Sequence, residues 1–499
     1  MRFQNFNFQI PDFKTYSVVR YILIVGVLVL CFAGGAGAQV ADTLLILPDS
    51  ARIFTLDDLY ARVLRHHPTA QQAYLLSETA RQEIRMARGA FDPKVEAQMQ
   101  TKVYDGKTYY DIFNGSLKFP TLFPINPSIG VDRNRGPYLN PERYVGDAFD
   151  YQQYYAGISI PLGRGLLTDE RRTALRQAQL FRELTEAEKI KIINKLLLEA
   201  AKAYWEWSYA YYNYRIHLRA VVIAEDIFQR VKMNYTFGEA SLIDTVQAKI
   251  TWQQRQIDRQ EALLEFQNTG VELSTLLWDS LSAPAVLATH HAPVLPSPAM
   301  MPDAQALAGL MNQARENHPE LNKLEVKILQ LEADRRLARE WLKPQLNVSY
   351  YALNQPIDPE GRSSLNLTDS YKFGFDISMP LFLRKERAKV AMTRLKLAST
   401  GLERDLAERQ ILNNLTATYN KLVNLNTVLV SQREMADNYE RLLQAELLNL
   451  EQGESDLFKI NVQQEKLIQA QAKWIKLMAE YEKQQAELYW AAGVNRLGR

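Results

Sequence analysis

The feature that most limits how this 499-residue chain can fold is that it says the same thing twice. Residues 65–104 and 316–354 share a pattern in which His67-Pro68 recurs as His318-Pro319, Ala87-Arg88 as Ala338-Arg339 and Pro93 as Pro344, each pair 251 residues apart. The echo continues. Gly157-Ile-Ser-Ile-Pro161 with Glu170-Arg171 returns as Asp376-Ile-Ser-Met-Pro380 with Glu386-Arg387, and Gly238-Glu-Ala-Ser-Leu242 returns as Gly453-Glu-Ser-Asp-Leu457. A duplicated chain is built twice from one unit, so the unit has to be read first. Here it reads helix, strand, loop, strand, very long helix, Gly turn, helix.

The very long helix dominates each unit. From Thr168 to Tyr235 there is neither proline nor glycine. Apolar residues fall at alternating steps of three and four: Ile193, Leu197, Ala200, Tyr204, Trp207, Tyr211, Tyr214, Leu218, Val221, Ala224, Phe228, Val231, Tyr235. That is a coiled-coil seam, and steps of three such as Leu218, Val221, Ala224 locally alter its supercoil. At 1.5 Å per residue the helix is roughly 100 Å long, too long for an ordinary globular domain. The second unit matches it over 384–451, where Leu412, Leu415, Tyr419 and Leu422 keep the step. Each helix ends at a Gly turn, Phe237-Gly238 or Gln452-Gly453, where glycine supplies the left-handed cap, and a shorter helix returns over about 240–279 or 455–493.

Ahead of the long helices the period is two. Val95, Ala97, Met99, Thr101 and Val103 alternate with Lys94, Glu96, Gln98, Gln100 and Lys102; Tyr154, Ala156, Ile158 and Ile160 share one side of a second strand. In the second unit Leu346, Val348, Tyr350 and Ala352 form one apolar row, and Tyr371, Phe373, Phe375, Ile377 and Met379 another. The expectation is one β-hairpin per unit, 94–161 and 345–380, with 105–149 a long extracellular insert in which Tyr109, Tyr110, Tyr138 and Tyr144 act as loop anchors or interfacial aromatics. Strands of this length with one greasy and one wet face suit a water-filled transmembrane barrel. Sheet edges cannot face lipid, and four strands are too few to close, so copies must associate. Two would supply eight strands and three would supply twelve.

Residues 1–38 read as a secretory signal: Arg2, Lys14 and Arg20 lead into the apolar run 21–32, and Ala36-Gly37-Ala38 is a small-residue cleavage site. Bulky Leu30 before Cys31 argues against a lipoprotein. Loss of Arg2, Asp12, Lys14 and Arg20 would take the formal charge from +2 to zero, which removes any electrostatic case for nucleic acid. The chain's single cysteine would leave as well, so no disulfide is expected. Past the signal no stretch of eighteen apolar residues occurs, so any membrane crossing is by β-strands. Residues 39–54 read as a linker, and Thr55 is placed to cap the helix beginning at Leu56. The Pro-rich stretch 281–302 separates repeat 55–280 from repeat 303–493, and 494–499 form a tail.

Other constellations carry less. Adjacent histidines on a helix diverge by about 100°, so His66-His67 reads as a cap and His290-His291 as linker rather than metal ligands. Gly163-Arg164-Gly165 lacks the rest of a phosphate loop and reads as a strand-to-helix bend. Glu and Asp pairs on a coiled coil have no closed pocket to tune them. Neither catalysis nor a cofactor is expected.

Taken together, the signal, the duplicated helix-hairpin-long helix unit, the Pro-terminated strands leading to Glu-Arg, and Tyr235-x-x-Gly238 followed by Asp244 resemble the TolC-like outer-membrane efflux protein family, over essentially the whole mature chain. The resemblance implies a mixed α and β protomer: a homotrimer forming a twelve-stranded transmembrane β-barrel continuous with a twelve-helix periplasmic α-barrel. It implies a passive exit duct for drugs, metals or polypeptides, serving a tripartite efflux or type I secretion system. The partners would be outer-membrane lipid, a periplasmic adaptor (membrane fusion protein) and an inner-membrane transporter of RND or ABC type. By position, the adaptor-docking turns would be Phe237, Gly238, Glu239, Ala240 and Ser241, and Gln452, Gly453, Glu454 and Ser455. The second turn departs from the first at Lys459, where the first has Asp244. Glu446 and Glu451 fall where the family places an acidic entrance constriction. The rival reading is a periplasmic coiled-coil adaptor without a barrel, which the two-faced strands disfavour.

Overall fold

The computed structural model describes residues 52–140, 145, 152–281, 283–288, 290–296, 303–354 and 365–494. The expected signal 1–38, most of linker 39–54, Tyr144, part of linker 281–302, the loop 355–364 and residues 495–499 lie outside them.

A short strand, β1 (Arg52–Phe54), leads into α1 (Leu56–His66). Thr55 caps α1 in a reciprocal capping box with Asp58, and that hydrogen bonding lowers the Asp58 pKa. His67-Pro68 separates α1 from α2 (Pro68–Arg88), and His318-Pro319 separates α5 (Ala304–Asn317) from α6 (Pro319–Glu340). The repeated His-Pro is thereby explained. Proline occupies the first helical position, where no amide is missed, and the histidine Nδ1 accepts the amide of Thr69 or Glu320 at 3.2 Å.

The two long helices are α3 (Glu170–Thr236) of 67 residues and α7 (Arg384–Glu451) of 68. Their returning partners are α4 (Leu242–Ser274) and α8 (Leu457–Ala491). Helix α3 packs along α2 over its sheet-proximal half and along α4 over its far half: Ser77 donates to Glu186, and Phe228 stacks on Trp252. Helices α6 and α8 succeed one another between α3 and α7 in the same way. The helices therefore form four side-by-side staves: α2 with α4, α3, α6 with α8, and α7. Buried residues of α7 recur every seven positions, Leu415, Leu422, Leu429, Ala436 and Leu443, the repeat of a left-handed supercoil. Buried Gln432 and Gln464 donate across the seams to the carbonyls of Ala470 and Ala220. The aromatic centre is Tyr204 with Trp205 and Trp207 on α3. The Tyr204 hydroxyl donates to the Phe54 carbonyl and accepts the Val294 amide, and burial pushes its pKa up to about 12. These bonds hold β1 and the middle of the inter-repeat linker, which pair as a parallel two-stranded sheet of β1 with β6 (His291–Pro293).

The main sheet corrects the expected pair of hairpins. The first repeat contributes four strands, β2 (Lys94–Tyr104), β3 (Lys107–Lys118), β4 (Asn126–Arg135) and β5 (Gln152–Pro161); the second contributes β7 (Gln345–Asn354) and β8 (Leu365–Ser378). All six form one antiparallel sheet in the order β2-β3-β4-β5-β7-β8. Two stretches of the insert read as an extracellular loop, β3 and β4, are thus sheet. Asp105-Gly106, both at positive φ (49° and 71°), turns β2 tightly into β3.

Candidate functional site

Register decides what the sheet can face. Val95 pairs with Leu117, Leu117 with Ile129, Ile129 with Ala156 and Ala156 with Ala352, which pairs with Tyr371. Because side chains alternate at period two, cross-strand partners share a face. The rows read in the sequence therefore join into one apolar face spanning all six strands. Its members in the outer strands are exposed, Val95 at 81%, Met99 at 69%, Phe375 at 56% and Ile377 at 66%, whereas Ala352 in the middle is buried. The opposite face carries Glu96, Gln98, Asn114, Ser116, Ser128, Asp132, Gln153, Ser159, Asn347, Ser349, Lys372 and Asp376, with Ile112 an apolar exception. Over that face Tyr155 lies across Gly130 and Tyr351 across Gly157, where a Cβ would collide with the rings. Among the described residues no helix is long and apolar enough to cross a membrane.

The strands run into the helices without an intervening domain. At the junction Leu162 and Arg164 extend the β5 pairing to Leu346 and Pro344, so Gly163-Arg164-Gly165 is the expected bend. Arg172 holds it by donating to the carbonyls of Gly165 and Leu166. Arg164 lies over Trp341 and Arg171 over Phe91. Phe123, Leu381 and Phe382 are exposed at this same end of the sheet, as expected of a membrane–water boundary.

At the far end of the helices the two turns are built alike. Gly238 (φ 80°) donates to the Tyr235 carbonyl and Glu239 to Asn234; Gly453 (φ 76°) donates to Leu450 and Glu454 to Asn449. This is the Schellman arrangement, which requires the left-handed glycine. The following caps differ in chemistry. Ser241 forms a capping box with Asp244, whose pKa is lowered by that hydrogen bonding, whereas Asp456 caps the Lys459 amide directly. The Asp244-to-Lys459 difference thus leaves both helix starts capped. Phe237 and Phe458 are exposed at 75% and 68%, as are Leu242 and Ile243. Glu446 accepts a 2.5 Å hydrogen bond from Ser455, which ties it to its own turn, and Glu451 is the last residue of α7.

Histidines 66 and 67 are at a helix end, with His67 engaged as a cap, and the rings of His290 and His291 lie 4.5 Å apart in the inter-repeat segment. Among the described residues no group of three His, Cys, Asp or Glu is placed to hold a metal. What sequence reading missed was β3 and β4. The signal was present in Asp105-Gly106, a strong hairpin dipeptide between alternating runs.

The described chain is thus a six-stranded sheet with an exposed apolar face, joined directly to four long staves. Residues 310–494 match the family described as "Outer membrane efflux protein". The same fold is found in the crystal structures of the Campylobacter jejuni CmeC outer membrane channel (12% identity, TM-score 0.59, 88% of this chain and 85% of that one) and Vibrio cholerae VceC (14%, 0.60, 88% and 96%). The Neisseria gonorrhoeae MtrE channel in its open state is similar too (15%, 0.61, 88% and 89%). A comparison with curated proteins finds no match. The second part of the chain, residues 310–494, is thus similar in sequence to outer membrane efflux proteins, and the chain shares the fold of these solved outer membrane channels.

Proposed function

We propose that three copies of the chain assemble into a passive exit duct, with the sheets completing a barrel in the outer membrane and the helices a tube in the periplasm. The observation that carries this reading is a seam left open at one edge of the stave layer. Ile243, Ile250, Ile257, Leu264 and Val271 recur every seven residues along α4, all more than half exposed. Helix α7, at the other edge, exposes Val428, Met435 and Leu442 at the same interval, beside a shallow groove lined by Ser431, Glu434, Asn438 and Tyr439. Two heptad stripes at opposite edges are complementary when a neighbouring copy brings α7 against α4. Four staves per chain then give twelve in a closed trimer.

The duct has no energy source of its own, so an inner-membrane transporter of RND or ABC type drives export through a periplasmic adaptor. The turns around Gly238 and Gly453, with exposed Phe237 and Phe458, are where that adaptor docks. The cargo is a drug, a metal or a polypeptide, in a tripartite efflux or type I secretion system. Fractionation tests the reading: the protein is expected in the outer membrane as a trimer, and Phe237→Asp with Phe458→Asp is expected to abolish adaptor cross-linking while leaving the trimer intact. A water-soluble periplasmic monomer that binds a transporter directly would instead establish the barrel-free adaptor alternative.

A further inference from the structure

We infer that the β3–β4 hairpin is part of the transmembrane wall, so that the closed barrel has eighteen strands rather than twelve. The inference rests on the trimeric duct proposed above and departs from the twelve strands that the family resemblance implies. Four observations support it.

The first is register. Phe113, Leu117, Ile129 and Val131 sit on the face that Met99, Val95, Ala156 and Tyr154 occupy in the flanking strands, because each is a direct cross-strand partner of one of them. A loop outside the membrane has no reason to continue a lipid-facing band in phase with both neighbours. Where the band stops, charge begins: on the same face exposed Arg133 pairs with Phe113, and Asp111 pairs with Arg135 at the end of the sheet away from the helices, where Thr101 donates to Asp111.

The second is continuity of pairing. Strands β2 and β5 have no backbone pairing to one another; β3 and β4 stand between them along their length. Lifting the hairpin out of the wall would expose the amides and carbonyls of β2 and β5 until a new ladder formed, and unpaired backbone in hydrocarbon costs several kcal/mol per group. The connection between β3 and β4 returns at the helix-proximal end, where it exposes Leu122, Phe123 and Ile125, residues suited to the membrane boundary.

The third is parity. Six alternating strands leave β2 and β8 running antiparallel, so β8 of one copy meets β2 of the next in the antiparallel sense that outer-membrane barrels use.

The fourth is width. With strands about 4.8 Å apart and tilted about 40°, twelve strands close at a radius of ~12 Å and eighteen at ~18 Å. Twelve staves about 8–10 Å apart close at a radius of roughly 15–19 Å. The eighteen-stranded barrel matches the helical tube beneath it, whereas twelve strands would narrow the exit. The wider bore suits cargo too large for a narrow exit, such as a polypeptide.

The test uses the full-length protein in a Cys31→Ser background, Cys31 being its single cysteine. Single cysteines replace Phe113, Ile129 and Val131 on one face and Asn114 and its partner Asp132 on the other, with Ile158 and Phe373 as references in β5 and β8. Spin labels at these sites are compared for accessibility to oxygen and to a water-soluble nickel complex after reconstitution in lipid vesicles. The expected result is alternation: Phe113, Ile129 and Val131 respond as Ile158 and Phe373 do, and Asn114 and Asp132 respond as water-exposed sites. Lipid contact at the references with water contact at all five hairpin sites would overturn the inference while leaving the duct standing. Water contact at the references would overturn both. Electron microscopy of the unmodified trimer in nanodiscs gives an independent count, with eighteen strands expected and twelve refuting the inference. Excising residues 107–135 removes one ascending and one descending strand, so β2 and β5 can still pair antiparallel; that variant is expected to close at twelve, and an unchanged count would refute the inference.

Discussion

Single residues do work here that their type alone conceals. His67 and His318 cap helices through neutral Nδ1, and burial lowers the pKa of both from the ordinary 6.5. The unfolded chain therefore binds these protons more readily than the folded one. Stability from the two caps is fully present above about pH 6.5 and is lost as the pH falls below it. Melting temperature is accordingly expected to fall between pH 7 and 5, and His67→Asn with His318→Asn, which caps without titrating, is expected to flatten that part of the profile. Gly453 makes a simpler case. At φ 76° any Cβ costs about 1–2 kcal/mol, although nothing lies within 4 Å of where that atom would sit. Gly453→Ala should therefore speed amide exchange around the second turn by roughly tenfold, without disturbing the sheet.

At the scale of elements, each stave is held by its seam rather than by its intrinsic helicity. Leu422 is fully buried in the cluster that α7 shares with α8, among Ile475, Met478 and Tyr481. Leu422→Ala leaves a cavity in that seam and is expected to cost about 3 kcal/mol, read as a lower midpoint in denaturant. Leu402, 72% exposed on the same helix, is the control: its truncation in the isolated protomer should cost less than about 0.5 kcal/mol. Salt bridges between staves, such as Lys191 with Glu320 and Lys323 with Glu188, are part-exposed and contribute less than these contacts. Arg255 differs because it is buried between Asp258 and Glu465, where it fixes α4 relative to α8.

At the scale of the whole molecule, the sheet and the stave layer of the described residues each have two open edges. The sheet ends in β2 and β8, and the stave layer ends in α4 and α7. In the trimer proposed above, neighbouring copies cover the open edges of both layers. Ile257→Asp with Leu264→Asp places two charges in the α4 stripe without touching the protomer's own buried seams. The double variant is expected to fold and yet migrate as monomer in size-exclusion chromatography with light scattering.

What the sequence determined by itself is what depends on local periodicity. Strict spacing along α3 and α7, the glycines at 238 and 453, the His-Pro breaks and the two-faced rows of β2, β5, β7 and β8 are all legible, because backbone geometry alone dictates periods of 3.6 and 2. Tertiary structure decided the rest. Phe113 and Ile129 lie in a stretch crowded with glycine, proline and asparagine, and they join the apolar face only through pairing with Met99 and Ala156 across chain separations that no local period reports. Likewise Ile257 and Leu422 sit in heptads of the same kind. One is exposed and the other buried because stave order, set by which helices meet in space, determines which seams are filled within the chain and which stay open.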